Sequence, residues 1–294
     1  MTVSDEGDFI FKELRHLKPN DLVVLHRNEH GHYKIEGESL TEVEALEIGL
    51  NMKGRNNDKE VPRVILEGSS AIQVSFLRGL FSREGFIEME SGIRYVALCT
   101  GSEVYSKQIQ TMLLGLGIVS RRTEHTYEIE YGYYINYWIR IAELDQVILF
   151  KNLIGFLDDK RSEVIEELCN KGRVINFTHK IPFNFVKKRI GRSGKPGMAD
   201  LKRNGNRRNF TTRYALNKAY QQVPHLFDES LQPLINGTLA FDKVVSIVDE
   251  GKVCDVYDIT VPRLKRFSAN GIIVHNCDYS GDLLGSLLVL PIIN

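Results

Sequence analysis

The chain lacks the features that mark secreted and membrane-bound proteins. Its four cysteines are far apart and form no Cys-x-x-Cys pair, which argues against a disulfide framework or a zinc site and favours reduced thiols. Residues 1–7 are polar and acidic rather than a signal sequence, and the apolar tail at 283–293 is too short to span a bilayer. We therefore expect a cytoplasmic protein with no membrane partner.

An excess of charge of either sign is also absent. Basic and acidic residues both number 38, so the formal net charge is zero, which argues against a nucleic-acid binder that is basic throughout. A chain of 294 residues with 43% hydrophobic residues can bury more than one core. We predict two domains with connecting segments.

The most informative segment lies near the C-terminus. Two strand-like runs, Val253–Val261 and Gly271–Val274, precede the sequence His275-Asn276-Cys277. The side-chain amide of Asn276 can attack its own backbone carbonyl, close a succinimide ring and break the bond to the next residue. His275 can give the leaving amine its proton, and the thiol of Cys277 can accept an acyl group from elsewhere. An ordinary hairpin is the alternative, because Asn is a common turn residue.

This arrangement resembles the C-terminal splice junction of inteins. The resemblance implies catalytic positions for Asp258, His275, Asn276 and Cys277, and it implies no cofactor for splicing. Many inteins have a histidine in the loop two residues before the Phe, where this chain has Lys265. A lysine can also donate a proton, but its ordinary pKa lies far above neutral, so we expect slower cleavage.

The N-terminal segment resembles an inner part of the same splicing domain. Residues 8–26 are similar to the strand pair that follows an intein's first motifs, with Asn20 at a turn position where Gly is usual. No opening Cys or Ser nucleophile and no Thr-x-x-His run precede this segment. Complete splicing within this chain is therefore not expected. The remaining reactions are C-terminal cleavage at Asn276, and splicing in trans with an N-terminal intein fragment on another chain.

A second motif lies in the middle of the chain. Apolar residues recur at helical spacing from Ile72 to Phe81, Gly79 would let another helix approach closely, and Glu84 stands at the helix end before Gly85. The elements predicted to follow are strands at 86–89 and 93–98 around a turn at 90–92, a helix at 102–116, strands at 125–130 and 134–141, and helices at 143–156 and 159–170.

This order of elements resembles the LAGLIDADG unit of homing endonucleases, which often lie within inteins. The resemblance implies that Glu84 is a catalytic residue that binds Mg²⁺, and that the partner is double-stranded DNA. A generic α+β domain with a solvated Glu84 is the alternative. Single-chain members have two such units, whereas residues 40–50 look like the start of a first unit that supplies no equivalent acid. Either two chains dimerise through the Gly79 helix, or the nuclease is inactive or impaired, which we favour.

Residues 187–213 hold ten basic residues against one acid, Asp200. Four glycines and Pro196 predict a flexible loop, which would be a solvated linker or, as we favour, an arm that contacts DNA phosphates. The predicted DNA-binding residues are Lys187, Lys188, Arg189, Arg192, Lys202, Arg203, Arg207 and Arg208.

These observations predict a mixed fold class, in which an incomplete all-β Hint splicing domain is interrupted by an α+β LAGLIDADG endonuclease domain. We predict a truncated or split intein fragment; the alternatives are a DNA-binding homing endonuclease without splicing activity and an inert remnant. The predicted segments are the N-terminal part of the Hint domain at 1–38, a remnant of the first repeat at 39–65, the endonuclease unit at 66–175, the basic arm at 176–235, the C-terminal part of the Hint domain at 236–276, and the C-extein at 277–294.

Overall fold

The computed structural model describes residues 1–26, 39–52, 58–88, 95–130, 132–171, 180–248, 266–269 and 271–275. The chain divides into two compact units: unit 1 consists of Met1–Arg27 and Asn176–Ile293, and unit 2 of Asn28–Ile175. Both helices and strands are present, in agreement with a mixed fold class. Among the described residues, no helix is long and apolar enough to cross a membrane.

The elements are numbered here in chain order. The strands are β1 (Thr2–Val3), β2 (Phe9–Ile10), β3 (Leu22–His26), β4 (Phe86–Glu88), β5 (Tyr95–Thr100), β6 (Arg121–Ile129), β7 (Gly132–Ile141), β8 (Lys180–Pro182), β9 (Phe210–Thr212), β10 (Leu239–Lys243), β11 (Arg266–Ala269) and β12 (Ile272–His275). The α-helices are α1 (Glu42–Asn51), α2 (Arg63–Leu66), α3 (Ser70–Glu84), α4 (Glu103–Gly115), α5 (Leu144–Leu153), α6 (Asp159–Lys171), α7 (Phe183–Lys187), α8 (Pro196–Arg208), α9 (Arg213–Gln222) and α10 (Gln232–Ile235). Short 3-10 helices lie at Leu14–His16, Pro224–Leu226 and Glu229–Leu231.

The central strand of unit 1 is β3. It pairs with β10 along its whole length, and β1 and β12 also pair with it through Val23 and Leu25 respectively. Val23, Val24 and Leu25 are all buried, which fits a short continuous apolar run covered on both faces. Strand β12 continues the sheet outward to β11, so the C-terminal hairpin is attached to the N-terminal part of the chain.

The basic segment of unit 1 contains a helix at 196–208, so the prediction of a flexible loop was wrong for that stretch. Pro196 takes the first position of α8, where its missing N–H costs nothing. Gly205 lies against the ring of Phe183, where even a Cβ atom would overlap the ring. Met198 and Leu201 of the same helix are buried in the core of unit 1. Gly205 was one of the glycines that suggested a flexible loop, but its role here is to let the helix pack closely against Phe183.

Unit 2 follows the predicted order of elements. Helix α3 ends at Glu84 with Gly85 as its C-cap, and Ser102 caps α4 by accepting a hydrogen bond from the Tyr105 amide. The four strands form an antiparallel sheet in the order β4-β5-β7-β6. Strand β6 begins at Arg121, earlier than predicted, and the turn expected at 90–92 lies outside the described residues.

Helices α1 and α3 touch through their backbones. Gly49 and Gly79 face each other, and a Cβ atom on either one would overlap a carbonyl oxygen of the opposite helix, that of Phe76 or Leu46 respectively. The close approach predicted for Gly79 is therefore present, and the helix that uses it belongs to the same chain. Ala45 of α1 is fully buried in the same contact region, as part of the core of unit 2.

This contact makes Gly79 a sensitive position. We expect Gly79→Ala to lower the free energy of unfolding by about 3 kcal/mol or more, because the added methyl group meets rigid backbone rather than an adjustable side chain. Gly115→Ala is the matched control, since nothing lies within 4 Å of a Cβ atom there. The control should stabilise α4 by roughly 0.5–1 kcal/mol. Urea denaturation of both variants tests the prediction, and equal stabilities would contradict it.

Candidate functional site

The C-terminal strand is held by main-chain hydrogen bonds. Ile272 pairs with Leu25 of β3, and the His26 amide donates to the Gly271 carbonyl at 2.7 Å. The Met1 nitrogen donates to the Ile273 carbonyl. Strand β12 is thus fixed from the β3 side in the residues just before the predicted cleavage point.

His275 is the last residue of β12 and is exposed. Its ring meets the ring of Phe11 edge-on, with ring centroids 4.9 Å apart and an interplanar angle of 63°. Such a contact favours one orientation of the imidazole over others. No pattern in the sequence indicated this contact, because 264 residues separate the two rings along the chain.

The structure places one of the predicted splicing residues, His275. Asp258, Lys265, Asn276 and Cys277 lie outside the described residues. The predicted strand at 253–261 also lies outside them, whereas the strand predicted at 271–274 is present as β12. The described part of the junction is therefore the strand that leads to Asn276, together with the imidazole beside it.

One carboxyl group in the central sheet of unit 1 is perturbed. Asp242 lies on β10 opposite Val23, beside a small apolar cluster that includes Ala240 and Val244. Burial raises the pKa of Asp242 to about 6, although a hydrogen bond from the Lys243 amide to Oδ1, 2.8 Å long, partly opposes the shift. The charged form of Asp242 therefore destabilises the folded sheet.

Half of the predicted DNA-binding residues are engaged within unit 1. Lys188 and Arg189 form ion pairs with Asp8, at 3.0 and 3.2 Å. Lys202 donates to the Gly191 carbonyl at 2.7 Å, and Arg203 pairs with Asp200, also at 2.7 Å. The other four are exposed and have no ion pair with any described residue: Lys187, Arg192, Arg207 and Arg208.

Glu84 of unit 2 is paired with a lysine. Lys59 Nζ lies 3.1 Å from each carboxylate oxygen of Glu84 and 3.0 Å from the Met52 carbonyl oxygen. The Lys59 side chain is 6% exposed and that of Glu84 22%. Within the described ranges, no group of three or more His, Cys, Asp and Glu residues could hold a metal ion. No periodicity or motif in the sequence links Lys59 to Glu84, so this pairing could not be predicted from the sequence.

The open face of the sheet in unit 2 carries aromatic and basic side chains. The guanidinium of Arg140 lies 4.8 Å from the ring centre of Trp138 and 5.4 Å from that of Tyr95. Tyr127 and Tyr134 stack with centroids 5.0 Å apart. The aromatic alternation of β6 and β7 predicted the strands but not this shared face. Flat rings and a guanidinium together form a surface able to contact nucleic acid.

Comparison with known proteins identifies the segment that they share with this chain. The model of the intein splicing domain matches residues 1–276, which is most of the chain and includes the strand that ends at His275. The match stops at Asn276, the residue whose amide was predicted to cleave the backbone.

Three curated proteins illustrate the similarity. The glutamine–fructose-6-phosphate aminotransferase of Methanocaldococcus jannaschii is 25% identical over 93% of this chain and 24% of its own length. A replicative DNA helicase DnaB of Synechocystis is 28% identical over 76% of the chain and 27% of its own length. The DNA gyrase A protein of Mycobacterium leprae is 25% identical over 76% of the chain and 17% of its own length. The chain thus spans about a quarter or less of each relative.

The raised pKa of Asp242 predicts a pH-dependent stability. Its folded-state pKa of about 6 exceeds the ordinary 3.8, so the folded state holds the proton more tightly and stability falls as the pH rises from about 4 to 6. Asp242→Asn removes this loss and keeps the oxygen that accepts the Lys243 bond.

We expect this variant to be more stable than the parent by roughly 1–3 kcal/mol above pH 7 and nearly equal to it near pH 4. Urea denaturation at both pH values measures the difference. Asp200→Asn, on the exposed side of α8, is the control and should change little. A gain that does not depend on pH would contradict the assignment.

Proposed function

Because the chain belongs to the intein splicing-domain family, we propose that it cleaves its own Asn276–Cys277 peptide bond. The side-chain amide nitrogen of Asn276 attacks the carbonyl carbon of the same residue, and the C–N bond to Cys277 breaks. The amide loses one proton and the leaving amine gains one, so no outside reactant is needed. The products are a chain that ends in a succinimide and a peptide of residues 277–294.

The observation that carries this proposal is the position of His275 at the end of a strand fixed in the central sheet. An imidazole there can give the leaving amine its proton. The contact with Phe11 restricts where the ring can lie. Strand pairing and ring contact together restrict the position of the imidazole that immediately precedes Asn276 in the chain.

Three further residues enter the proposal from the sequence. Asp258 and Lys265 would polarise or protonate the junction. The thiol of Cys277 would accept an acyl group only when an N-terminal junction delivers one, and a separate N-terminal intein fragment could supply it in trans.

The relatives favour a self-processing segment rather than an activity of the longer proteins in which similar segments occur. An aminotransferase, a helicase and a gyrase have unrelated names, yet each resembles this chain over a minor part of its length. A segment that removes itself from its host need not share the host's activity. We accordingly assign none of these three activities to the chain.

A second candidate function is binding of double-stranded DNA, with unit 2 as a LAGLIDADG-type unit. The order of its elements and the aromatic and basic face of β6 and β7 favour it. A homodimer through Gly79 is not part of the proposal, since α1 of the same chain covers that glycine. The four exposed cations of the basic segment would add contacts to phosphates.

Mass spectrometry of the full chain over time tests the cleavage. We expect a species that has lost residues 277–294, and we expect Asn276→Ala to abolish it because the attacking amide is gone. Asn206→Ala, an exposed change within α8, is the matched control and should cleave normally. Cleavage that persists in Asn276→Ala would refute the mechanism. The mechanism would also be refuted if the full-length chain stayed intact both alone and with an added N-terminal intein fragment.

The same assay tests the role of Phe11. Phe11→Leu keeps an apolar side chain but loses the ring, and it should slow cleavage by up to about tenfold, the equivalent of one aromatic contact. Phe11→Tyr keeps the ring and should react at nearly the parent rate. Equal rates for Phe11→Leu and the parent would remove Phe11 from the mechanism without affecting Asn276.

DNA binding is tested by the salt dependence of a gel shift with duplex DNA. Replacing Lys187, Arg192, Arg207 and Arg208 by Gln should weaken binding and flatten the plot of log K against log salt, by about 0.9 for each phosphate that is no longer neutralised. Arg63→Gln is the control, because this cation is exposed on α2 and paired with Glu67. A salt slope that is the same in the variant and the parent would show that these four residues do not contact DNA phosphates. The absence of any gel shift by the parent at low salt would exclude DNA binding.

A further inference from the structure

The resemblance to LAGLIDADG enzymes implies Mg²⁺ at Glu84, and the residues around Glu84 do not fit that ion. Mg²⁺ requires oxygen ligands at about 2.0–2.1 Å and room for several waters. Glu84 instead faces the ammonium of Lys59, which lies 3.1 Å from both of its carboxylate oxygens. We propose that Lys59 permanently replaces the divalent cation, so that Glu84 does not form a metal-dependent nuclease site.

The hydrogen bonds of Lys59 leave no donor free for another task. An ammonium has three N–H groups, and three acceptors surround this one: the two Glu84 oxygens and the Met52 carbonyl. The ring of Tyr105 also lies against the ammonium, with its centre 4.7 Å from Nζ. The cation is therefore enclosed by protein groups, and the Lys59 side chain is only 6% exposed.

The backbone around Lys59 is fixed by α4 and its cap. The hydroxyl of Ser102 donates to the Lys59 carbonyl at 2.6 Å, and the Val61 amide donates to Gln108 Oε1 at 2.7 Å. The backbone that carries the Lys59 side chain is therefore held in place. Moving the ammonium away from Glu84 would break its hydrogen bonds to the two carboxylate oxygens and to the Met52 carbonyl.

The position of the Lys59 ammonium is also electrostatically favourable for helices α1 and α3. Met52 is the C-cap residue of α1 and Glu84 the last residue of α3, so Lys59 lies where the negative ends of two helix dipoles come together. A positive charge there stabilises both helix ends. A second cation brought next to it would be repelled.

Metal titration of the full chain tests the proposal, and it does so whether or not the chain splices or binds DNA. The melting temperature of the parent should not change with millimolar Mg²⁺ or Mn²⁺, and supercoiled plasmid should stay intact. Lys59→Met, which keeps the side-chain length but removes the charge, should lower the melting temperature by several degrees. Lys107→Met, which breaks the exposed Lys107–Glu103 pair, is the control and should lower it far less.

Glu84→Gln gives a milder second variant, because an amide still accepts from Lys59. A Lys59→Met/Glu84→Gln double variant should lose less stability than the sum of the two single changes, as expected for a direct pair. A metal-induced rise in the melting temperature of the parent that disappears in Glu84→Gln would overturn the proposal. Metal-dependent plasmid nicking that is abolished in the same variant would also overturn it, as would a Lys59→Met protein as stable as the parent.

Discussion

Unit 1 depends on the backbone pairing of β3. Three segments that are far apart in the chain meet on this one strand: β1, β10 and β12. The energetic cost of closing a loop grows only with the logarithm of its length, so a unit of some 150 residues can lie between β3 and the rest of unit 1 at little extra cost. The register of β12 on β3 then decides where His275, at the end of that strand, lies.

Unit 2 depends on a different constraint, the contact between Gly49 and Gly79 that brings two helix backbones together. Bringing the helices so close also brings their C-terminal ends near each other, and the chain neutralises those ends with cations. Arg161 donates to the Phe81, Ser82 and Gly85 carbonyls at the end of α3, while Lys59 joins Glu84 to Met52. The close packing of the two helices is thus accompanied by a cation at the C-terminal end of each helix.

The sequence predicted what short-range patterns control. Helical spacing and the cap at Gly85 located α3, and Ser102 located the start of α4, because such signals lie within a few residues of the element they define. The contacts that shape the candidate sites are distant in sequence: Phe11 with His275, and Lys59 with Glu84. The basic segment was wrongly predicted as a loop for the same reason, since the ring that packs on Gly205 lies 22 residues earlier in the chain.

Charge balance explains why a lysine rather than a metal ion suits a site with one carboxylate, that of Glu84. A divalent cation on Glu84 alone would leave one positive charge unbalanced in a half-buried site, and only DNA phosphates could compensate for it. The ammonium of Lys59 and the carboxylate of Glu84 cancel each other without any ligand. This pair therefore needs no bound ligand to balance its charge. Self-cleavage through Asn276, as we propose it, needs unit 2 to fold but not to cut DNA.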